Sequence, residues 1–147
     1  MIVGLKTVLP ASQGRWRSAR QHSLVAHVLE GIRDVLAVLP TGTGKSLSFL
    51  IPSVVQEKSI IVIVPLVALK HDLARRLTEM GCSFAMWSPR MVPAGAPKVV
   101  LVSIESINSL EYVTFVRSLQ ILDKLLCVIV DEVHLLLQNF RSGQHHN

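Results

Sequence analysis

The segment Leu39–Ser46 brings glycine, lysine and serine together directly after an apolar run and directly before a helical pattern. Gly42 and Gly44 would let the backbone turn so that successive N–H groups point at one anion, where the following helix also places its positive dipole end. Lys45 would then pair with the β- and γ-phosphates of a nucleotide, and the Ser46 hydroxyl would coordinate Mg²⁺. The expected phosphate site consists of Pro40, Thr41, Gly42, Thr43, Gly44, Lys45 and Ser46.

This segment departs from the strict form of a phosphate-binding loop at one position. The strict form has a glycine five residues before Gly44, and Leu39 occupies that place here. The competing interpretation is a glycine turn that feeds a helix with a surface lysine. Phosphate binding is favoured because the order of strand, turn and helix is the one that such a loop requires.

A second candidate group ends the apolar run Val128–Val130 with two adjacent acids. At the carboxyl end of a strand their side chains point in different directions, so Asp131 can hold the Mg²⁺ shell while Glu132 reaches an attacking water as general base. Taken alone, such a pair is also typical of the cap and first turn of a helix. His134 can bond to a neighbouring segment or pack beside the leucines that follow it.

The elements that must position these groups are short apolar runs alternating with longer amphipathic stretches. The runs lack a period of two, as expected of strands buried on both faces of a parallel sheet. We predict strands at Val35–Leu39, Ile60–Val64, Val99–Ser103 and Cys127–Val130, and a weaker one at Ser83–Trp87. We predict helices at Arg20–Glu30, Lys45–Val55, Val67–Met80 and Ile104–Leu119. This order implies right-handed crossovers and an α/β layered domain.

Length and composition are typical of one globular domain. The chain has 147 residues, of which 50% are hydrophobic and 17% charged, so a sizeable core can form. The longest apolar run, Ile60–Leu69, is well short of the roughly 18 to 20 residues that cross a bilayer. Met1–Pro10 lacks the apolar core of a secretory signal. We therefore expect an intracellular protein without a membrane partner.

The formal net charge of +5 is concentrated near the N-terminus. Lys6, Arg15, Arg17 and Arg20 all precede the first acidic residue, Glu30. Because the rest of the chain is nearly balanced, this basic flank is compatible with phosphate contact and equally with a solvated leader. We expect residues 1–15 to form the flank and residues 16–147 to form the folded domain.

The two chemical groups together resemble motifs of a known family. The segment from Asp131 to His134 is similar to the DExH box of superfamily 2 helicases, and Pro40–Ser46 is similar to their motif I, most of all in the RecQ-like branch. The resemblance implies a RecA-like P-loop NTPase domain, with a mostly parallel sheet flanked by helices, that binds ATP and Mg²⁺. It implies Lys45, Asp131 and Glu132 as catalytic residues, Ser46 and Asp131 as Mg²⁺ ligands, and His134 as a coupling residue.

Further segments resemble the other motifs of this family, in order, over roughly residues 16–141. Gln21 occupies the place of the glutamine that reads the adenine edge, although an exposed residue in the first turn of a helix is the alternative. Pro65 and Leu66 resemble motif Ia, and Ser103 and Glu105 resemble motif Ib; in the family both motifs touch the DNA backbone. The implied partner is DNA, as a single strand or a fork, with RNA as the other possibility.

Three departures from the family pattern bear on function. Motif Ib usually reads Thr-Pro-Glu where this chain has Ser103-Ile104-Glu105. The aromatic-rich loop is shortened and lacks the tryptophan typical of RecQ proteins. The sequence stops 16 residues after Asp131, before motif III and the second RecA-like lobe that completes the ATP site. We therefore expect a C-terminally incomplete domain that hydrolyses ATP poorly and cannot unwind a duplex alone.

The favoured interpretation is the ATP-binding lobe of a RecQ-like DNA helicase, nuclear if the source is eukaryotic. The alternative is a non-catalytic nucleic-acid-binding or regulatory fragment that retains the helicase fold. A small kinase or GTPase is disfavoured by the ordered helicase motifs and by the lack of a guanine-reading Asn-Lys-x-Asp sequence.

Overall fold

The structure is a computed structural model that describes residues 16, 18–31, 35, 37, 45–90, 93 and 97–142, with the backbone alone at 46, 47, 136 and 139–142. Its helices are α1 (Ala19–Glu30), α2 (Lys45–Gln56), α3 (Val67–Glu79), α4 (Leu110–Ile121) and α5 (Val133–Ser142). Its strands are β1 (Ser59–Val64), β2 (Phe84–Met86), β3 (Val99–Ser103) and β4 (Leu125–Val130). Helices and strands alternate along most of the chain, as the sequence pattern predicts.

The four strands form one parallel sheet in the order β2-β3-β1-β4. Ile60 of β1 lies between Val99 of β3 and Cys127 of β4 in the pairing register. All six residues of β1 are buried, as a central strand covered on both faces requires. The carboxyl ends of β1, β3 and β4 therefore meet at one edge of the sheet, which we call the carboxyl edge.

Apolar side chains cover both faces of this sheet. On one face Ile60, Val62 and Val64 pack with buried residues of α1, α2 and α3. On the other face Ile61 and Ile63 pack with residues of α4 and with Trp87. This arrangement is an α/β sandwich consistent with a RecA-like domain, so the predicted fold class is confirmed. Among the described residues, no helix is long and apolar enough to cross a membrane.

Most predicted strands are confirmed within a residue or two. β1, β3 and β4 contain the predicted runs, and the weak candidate Ser83–Trp87 contains β2. The predicted strand Val35–Leu39 lies largely outside the described residues. Among the described strands, β4 pairs with β1 alone, and Val128 and Val130 are 45% and 43% exposed.

The predicted helix Ile104–Leu119 is wrong in its first half. A short 3₁₀ turn at Ile104–Ser106 follows β3, and α4 begins only at Leu110. The helix starts at Leu110 because Ser109 caps it: the Ser109 hydroxyl accepts a hydrogen bond from the backbone N–H of Tyr112 at 3.2 Å. Glu105 consequently lies in an exposed turn rather than in a long helix.

Helix α5 is not among the helices that the sequence pattern predicts. It begins one residue after Glu132, and the backbone N–H of Leu135 donates to the Glu132 carbonyl at 2.9 Å. The acidic pair therefore leads from the end of β4 into a helix. This is the helical context that the sequence left open for Asp131 and Glu132.

The Ser53 hydroxyl links α2 to the starts of two strands. This fully buried oxygen lies 2.6 Å from the carbonyl of Lys58 and 3.0 Å from the carbonyl of Lys98. Lys58 immediately precedes β1 and Lys98 immediately precedes β3. The contact fixes the helix that carries Lys45 against the sheet.

We predict that Ser53→Ala lowers the free energy of unfolding by about 1 to 2 kcal/mol, because the bonds from this buried hydroxyl to the carbonyls of Lys58 and Lys98 are lost. The matched control is Ser118→Ala, whose exposed hydroxyl bonds only the Phe115 carbonyl within α4. That change should shift stability by less than about 0.5 kcal/mol. Urea unfolding measures both, and equal effects would contradict the assigned role of Ser53.

Candidate functional site

Three of the residues that the sequence singled out for chemistry meet at the carboxyl edge. The Lys45 ammonium lies 3.1 Å from Oε1 of Glu132, and Nδ1 of His134 lies 3.3 Å from Oε2 of the same carboxylate. The side chains of Lys45 and Glu132 are 33% and 25% exposed, whereas His134 is 61% exposed. Each oxygen of the Glu132 carboxylate thus faces a different basic group.

The sheet and α2 bring this group together. Lys45 is the first residue of α2, which Phe49, Leu50 and Ile51 anchor in the core. On the other side, the backbone N–H of Asp131 donates to the Ile63 carbonyl at 3.0 Å, which extends the pairing with β1 one residue beyond β4. Lys45 is therefore held by α2, and Glu132 is held by the pairing of the neighbouring Asp131 with β1.

The backbone turns sharply at Glu132. Its φ is 51°, in the left-handed region that costs a non-glycine residue of order 1 to 3 kcal/mol. Oδ1 of Asp131 accepts the Glu132 N–H at 3.0 Å, so the neighbouring carboxylate stabilises this turn. The turn directs the Glu132 side chain toward α2 and starts α5. Glu57 and Asp123 share this conformation in the loops before β1 and β4, and Glu132 is the one of the three that belongs to the candidate site.

The charge of Lys45 is compensated by Glu132. A carboxylate at this distance holds the ammonium through a charge-assisted hydrogen bond. An anion that approached the start of α2 would have to compete with Glu132 for the lysine. In this structure the candidate phosphate-binding cation, Lys45, is thus held by the candidate catalytic base, Glu132.

Part of the predicted phosphate site lies outside the described residues. This applies to Pro40, Thr41, Gly42, Thr43 and Gly44. Ser46 lies in the first turn of α2, but only its backbone is described. Among the predicted phosphate-site residues, Lys45 is therefore the one whose side chain the structure describes.

Gln21 lies in α1 and is fully buried. Its backbone N–H donates to the Ser18 hydroxyl at 3.1 Å, which places Gln21 in the capped first turn of the helix. The alternative of an exposed helical residue is therefore wrong. A buried amide is consistent with a fixed side chain, whereas a solvated one would sample many rotamers.

The four residues that resemble nucleic-acid contacts lie at the carboxyl ends of β1 and β3. Pro65 is buried and Leu66 is 45% exposed just after β1. Ser103 is the half-buried last residue of β3, and Glu105 is exposed in the 3₁₀ turn that follows. The exposed surface of this group thus comes from Leu66 and Glu105, with Pro65 packed beneath.

Lys70 belongs to this edge and was missed by the sequence reasoning. Its ammonium donates to the Ser103 hydroxyl at 3.0 Å, across from the first turn of α3 to the end of β3. Burial lowers the pKa of Lys70, and the nearby carboxylate of Glu105 opposes that shift. Its spacing from Leu66 could have indicated this position, because Lys70 follows Leu66 by one helical turn. The backbone N–H of Lys70 donates to the Leu66 carbonyl at 3.1 Å.

Arg75 and Arg76 are occupied elsewhere on α3. Arg75 contacts Asp72 and Glu79 at 2.7 and 2.6 Å, and Arg76 contacts Asp72 at 2.8 Å. These bonds hold the pKa of the Asp72 carboxyl below its usual value. The two arginines thus form a solvent-exposed ion network along the helix.

We predict that a double-mutant cycle with Lys45→Met and Glu132→Gln gives a coupling energy of about 0.5 to 1 kcal/mol in urea unfolding, because the pair is only partly screened by water. The control cycle uses Lys58→Met and Asp123→Asn, whose ion pair leaves Asp123 85% exposed. Its coupling should stay below about 0.3 kcal/mol. A coupling near zero for Lys45 and Glu132 would contradict the described geometry.

A family model of the DEAD/DEAH box helicases matches residues 18–146 of the chain. The ATP-dependent DNA helicase RecQ of Bacillus subtilis is 31% identical over 129 residues, which cover 80% of this chain and 21% of that protein. RecQ of Synechocystis is 31% identical over 117 residues, covering 72% of this chain and 24% of that protein. A mimivirus relative named as an RNA helicase is 29% identical over 126 residues, 80% of this chain and 22% of its own length. The chain thus spans roughly a fifth of the length of these relatives.

Proposed function

Because the chain belongs to the DEAD/DEAH box helicase family, we propose that it is the ATP-binding lobe of a RecQ-like ATP-dependent DNA helicase. The observation that carries the proposal is the ion pair of Lys45 and Glu132. These residues stand 87 positions apart, yet their charged atoms are 3.1 Å apart. ATP hydrolysis uses a cation that holds the terminal phosphates and a base that orients the attacking water. Lys45 at the start of a helix and Glu132 after a parallel strand would supply these two groups side by side.

ATP would bind with its terminal phosphates at the start of α2. The γ-phosphate is the stronger competitor for Lys45, since it carries more charge than one carboxylate and also meets the positive end of the α2 dipole. The residues Pro40 to Gly44 would wrap the phosphates with backbone N–H groups. Gln21 would read the adenine edge, which requires that its amide, fully buried in this structure, become accessible to the base.

Mg²⁺ fits the donors that the chain offers here. Asp131 supplies a carboxylate at the carboxyl edge, and Ser46 supplies a hydroxyl on the residue after Lys45. Only one oxygen of Asp131 is used by the Glu132 N–H. Mg²⁺ is commonly bound by one or two carboxylates together with substrate phosphates, so this donor set suits it. When bound, the ion would neutralise charge that develops on the phosphates.

Displacement of Lys45 frees the Glu132 carboxylate for its own task. Oε1 loses its cation to the phosphate and becomes available to accept a proton from the attacking water. Oε2 still faces His134, which extends from the first turn of α5. His134 would therefore couple the state of Glu132 to α5.

Nucleic acid would bind along the same edge through Leu66 and Ser103, with buried Pro65 shaping the turn beneath them and the exposed carboxylate of Glu105 beside them. Contacts of this kind address the sugar-phosphate backbone, so binding should depend on salt and little on sequence. DNA is favoured as partner because the RecQ relatives are named as DNA helicases, and the RNA helicase name of the viral relative supports RNA as the other candidate. Unwinding would require a second RecA-like lobe to close on the ATP site.

We predict that Lys45→Ala weakens binding of a non-hydrolysable ATP analogue with Mg²⁺ at least about tenfold, since a charge-assisted bond to phosphate contributes about 1.5 to 3 kcal/mol. The matched control is Lys58→Ala, which removes a lysine at the opposite end of the sheet. Isothermal titration calorimetry should give affinities within about twofold of each other for the control and the unmodified chain.

A second variant separates the roles of the two partners. Glu132→Gln keeps the size of the side chain but removes the charge that competes for Lys45, so the analogue should bind at least as tightly as before. Equal affinity of the unmodified chain and Lys45→Ala would refute the phosphate role of Lys45. Weaker binding by Glu132→Gln would refute the competition between Glu132 and phosphate.

A further inference from the structure

We propose that Lys70 and Ser103 together form a two-donor site for one phosphodiester group of a single-stranded nucleic acid. The inference rests on the proposed function and names the residues that hold the strand. It adds a cation at a position that the motif resemblance does not include. The site lies at the carboxyl edge, between the first turn of α3 and the end of β3.

The hydrogen bond between these residues leaves donors available to a ligand. Lys70 donates one N–H to the Ser103 hydroxyl at 3.0 Å. An ammonium has three donors, and a hydroxyl that accepts a bond still has its own proton to donate. Within the described residues, no other hydrogen bond of either side chain is found. An oxygen of a phosphate placed beside the pair can therefore accept from both side chains.

The charge on Lys70 is not paired, unlike that of the other cations bonded within the described residues. Lys45, Lys58, Arg75 and Arg76 each contact a carboxylate within 3.1 Å. Lys70 instead contacts a neutral hydroxyl. An anion can therefore approach Lys70 without breaking an ion-pair contact, although the carboxylate of Glu105 acts on this lysine electrostatically. Arg75 and Arg76, by contrast, would first have to give up Asp72.

The surroundings of Lys70 also favour an external anion. Partial burial removes water from its ammonium and lowers its pKa, so a phosphate would restore the lost stabilisation of the charge. In addition, a cation near the start of a helix is disfavoured by the helix dipole. The position of Lys70 is therefore not one that the helix dipole itself favours.

The neighbouring side chains match the two parts of a nucleic-acid strand. Leu66, which caps α3, and Val67, its first residue, are 45% and 58% exposed and give apolar surface beside the cation for sugars or unstacked bases. Glu105 is exposed nearby and acts on Lys70 electrostatically. Its carboxylate would repel a phosphate, so Glu105 should limit the affinity of the site.

The test measures binding of a fluorescently labelled single-stranded DNA to the full chain by anisotropy over a range of salt concentrations. Lys70→Ala should weaken binding about tenfold at low salt and lower the slope of log affinity against log salt by about 0.7, the value for one lost phosphate contact. Lys70→Arg should retain most of the affinity. Ser103→Ala should weaken binding several-fold, and Glu105→Gln should strengthen it.

Lys124→Ala is the matched control, since it removes an exposed lysine at the amino ends of the strands. It should leave both affinity and slope unchanged. Titration with the ATP analogue distinguishes the two sources of phosphate, because Lys70→Ala should bind the analogue as the unmodified chain does. Circular dichroism confirms that each variant is folded.

Three results would overturn the inference. If the strand binds with the same slope to the unmodified chain and to Lys70→Ala, Lys70 does not hold a phosphate, while the proposed ATP site stands. If Lys70→Ala loses the ATP analogue, the phosphate belongs to the nucleotide. If the unmodified chain binds ATP but no strand, both this site and the nucleic-acid part of the proposed function fail.

Discussion

The ion pair between Lys45 and Glu132 is the contact on which the candidate site depends. It joins the first residue of α2 to the turn that follows β4, and each end is held by a different part of the core. The sheet register aligns Asp131 with the end of β1, while the buried Ser53 hydroxyl fixes α2 against the starts of β1 and β3. A one-residue slip of β4 would reverse the faces of its side chains and carry Glu132 away from the lysine.

The carboxyl edge carries two lysines with different partners, Lys45 and Lys70. Lys45 is neutralised by a carboxylate, so an anion can take it only by exchange, and the exchange releases the group proposed as general base. Lys70 is held by a hydroxyl, so an anion can take it directly. Under the proposed function, nucleotide binding changes the state of Glu132, whereas strand binding occupies a cation that is already available.

Much of the fold was predictable because buried parallel strands have a simple sequence signature. Ile60–Val64 and Val99–Ser103 are apolar without alternation, and both form strands within one residue of the predicted bounds. The 3₁₀ turn after β3 was not predictable from hydrophobic periodicity. The later start of α4 depends on one local hydrogen bond, the Ser109 cap, which does not change the spacing of apolar residues. Within the site, residue types and spacing identified Lys45 and Glu132. Their direct pairing in the free protein, and the partner of Lys70, depend on how three strands and two helices pack, which no local pattern encodes.

The most direct measurement is a crystal structure of the chain with Mg²⁺ and a non-hydrolysable ATP analogue. We expect the Lys45 ammonium to bond the terminal phosphate and to move more than about 4 Å from Oε1 of Glu132, beyond ion-pair distance. We also expect Asp131 in the Mg²⁺ shell and His134 still beside Oε2. A structure in which the analogue lies elsewhere, or in which Lys45 remains 3.1 Å from Glu132 with the phosphates bound, would show that Lys45 does not exchange Glu132 for phosphate.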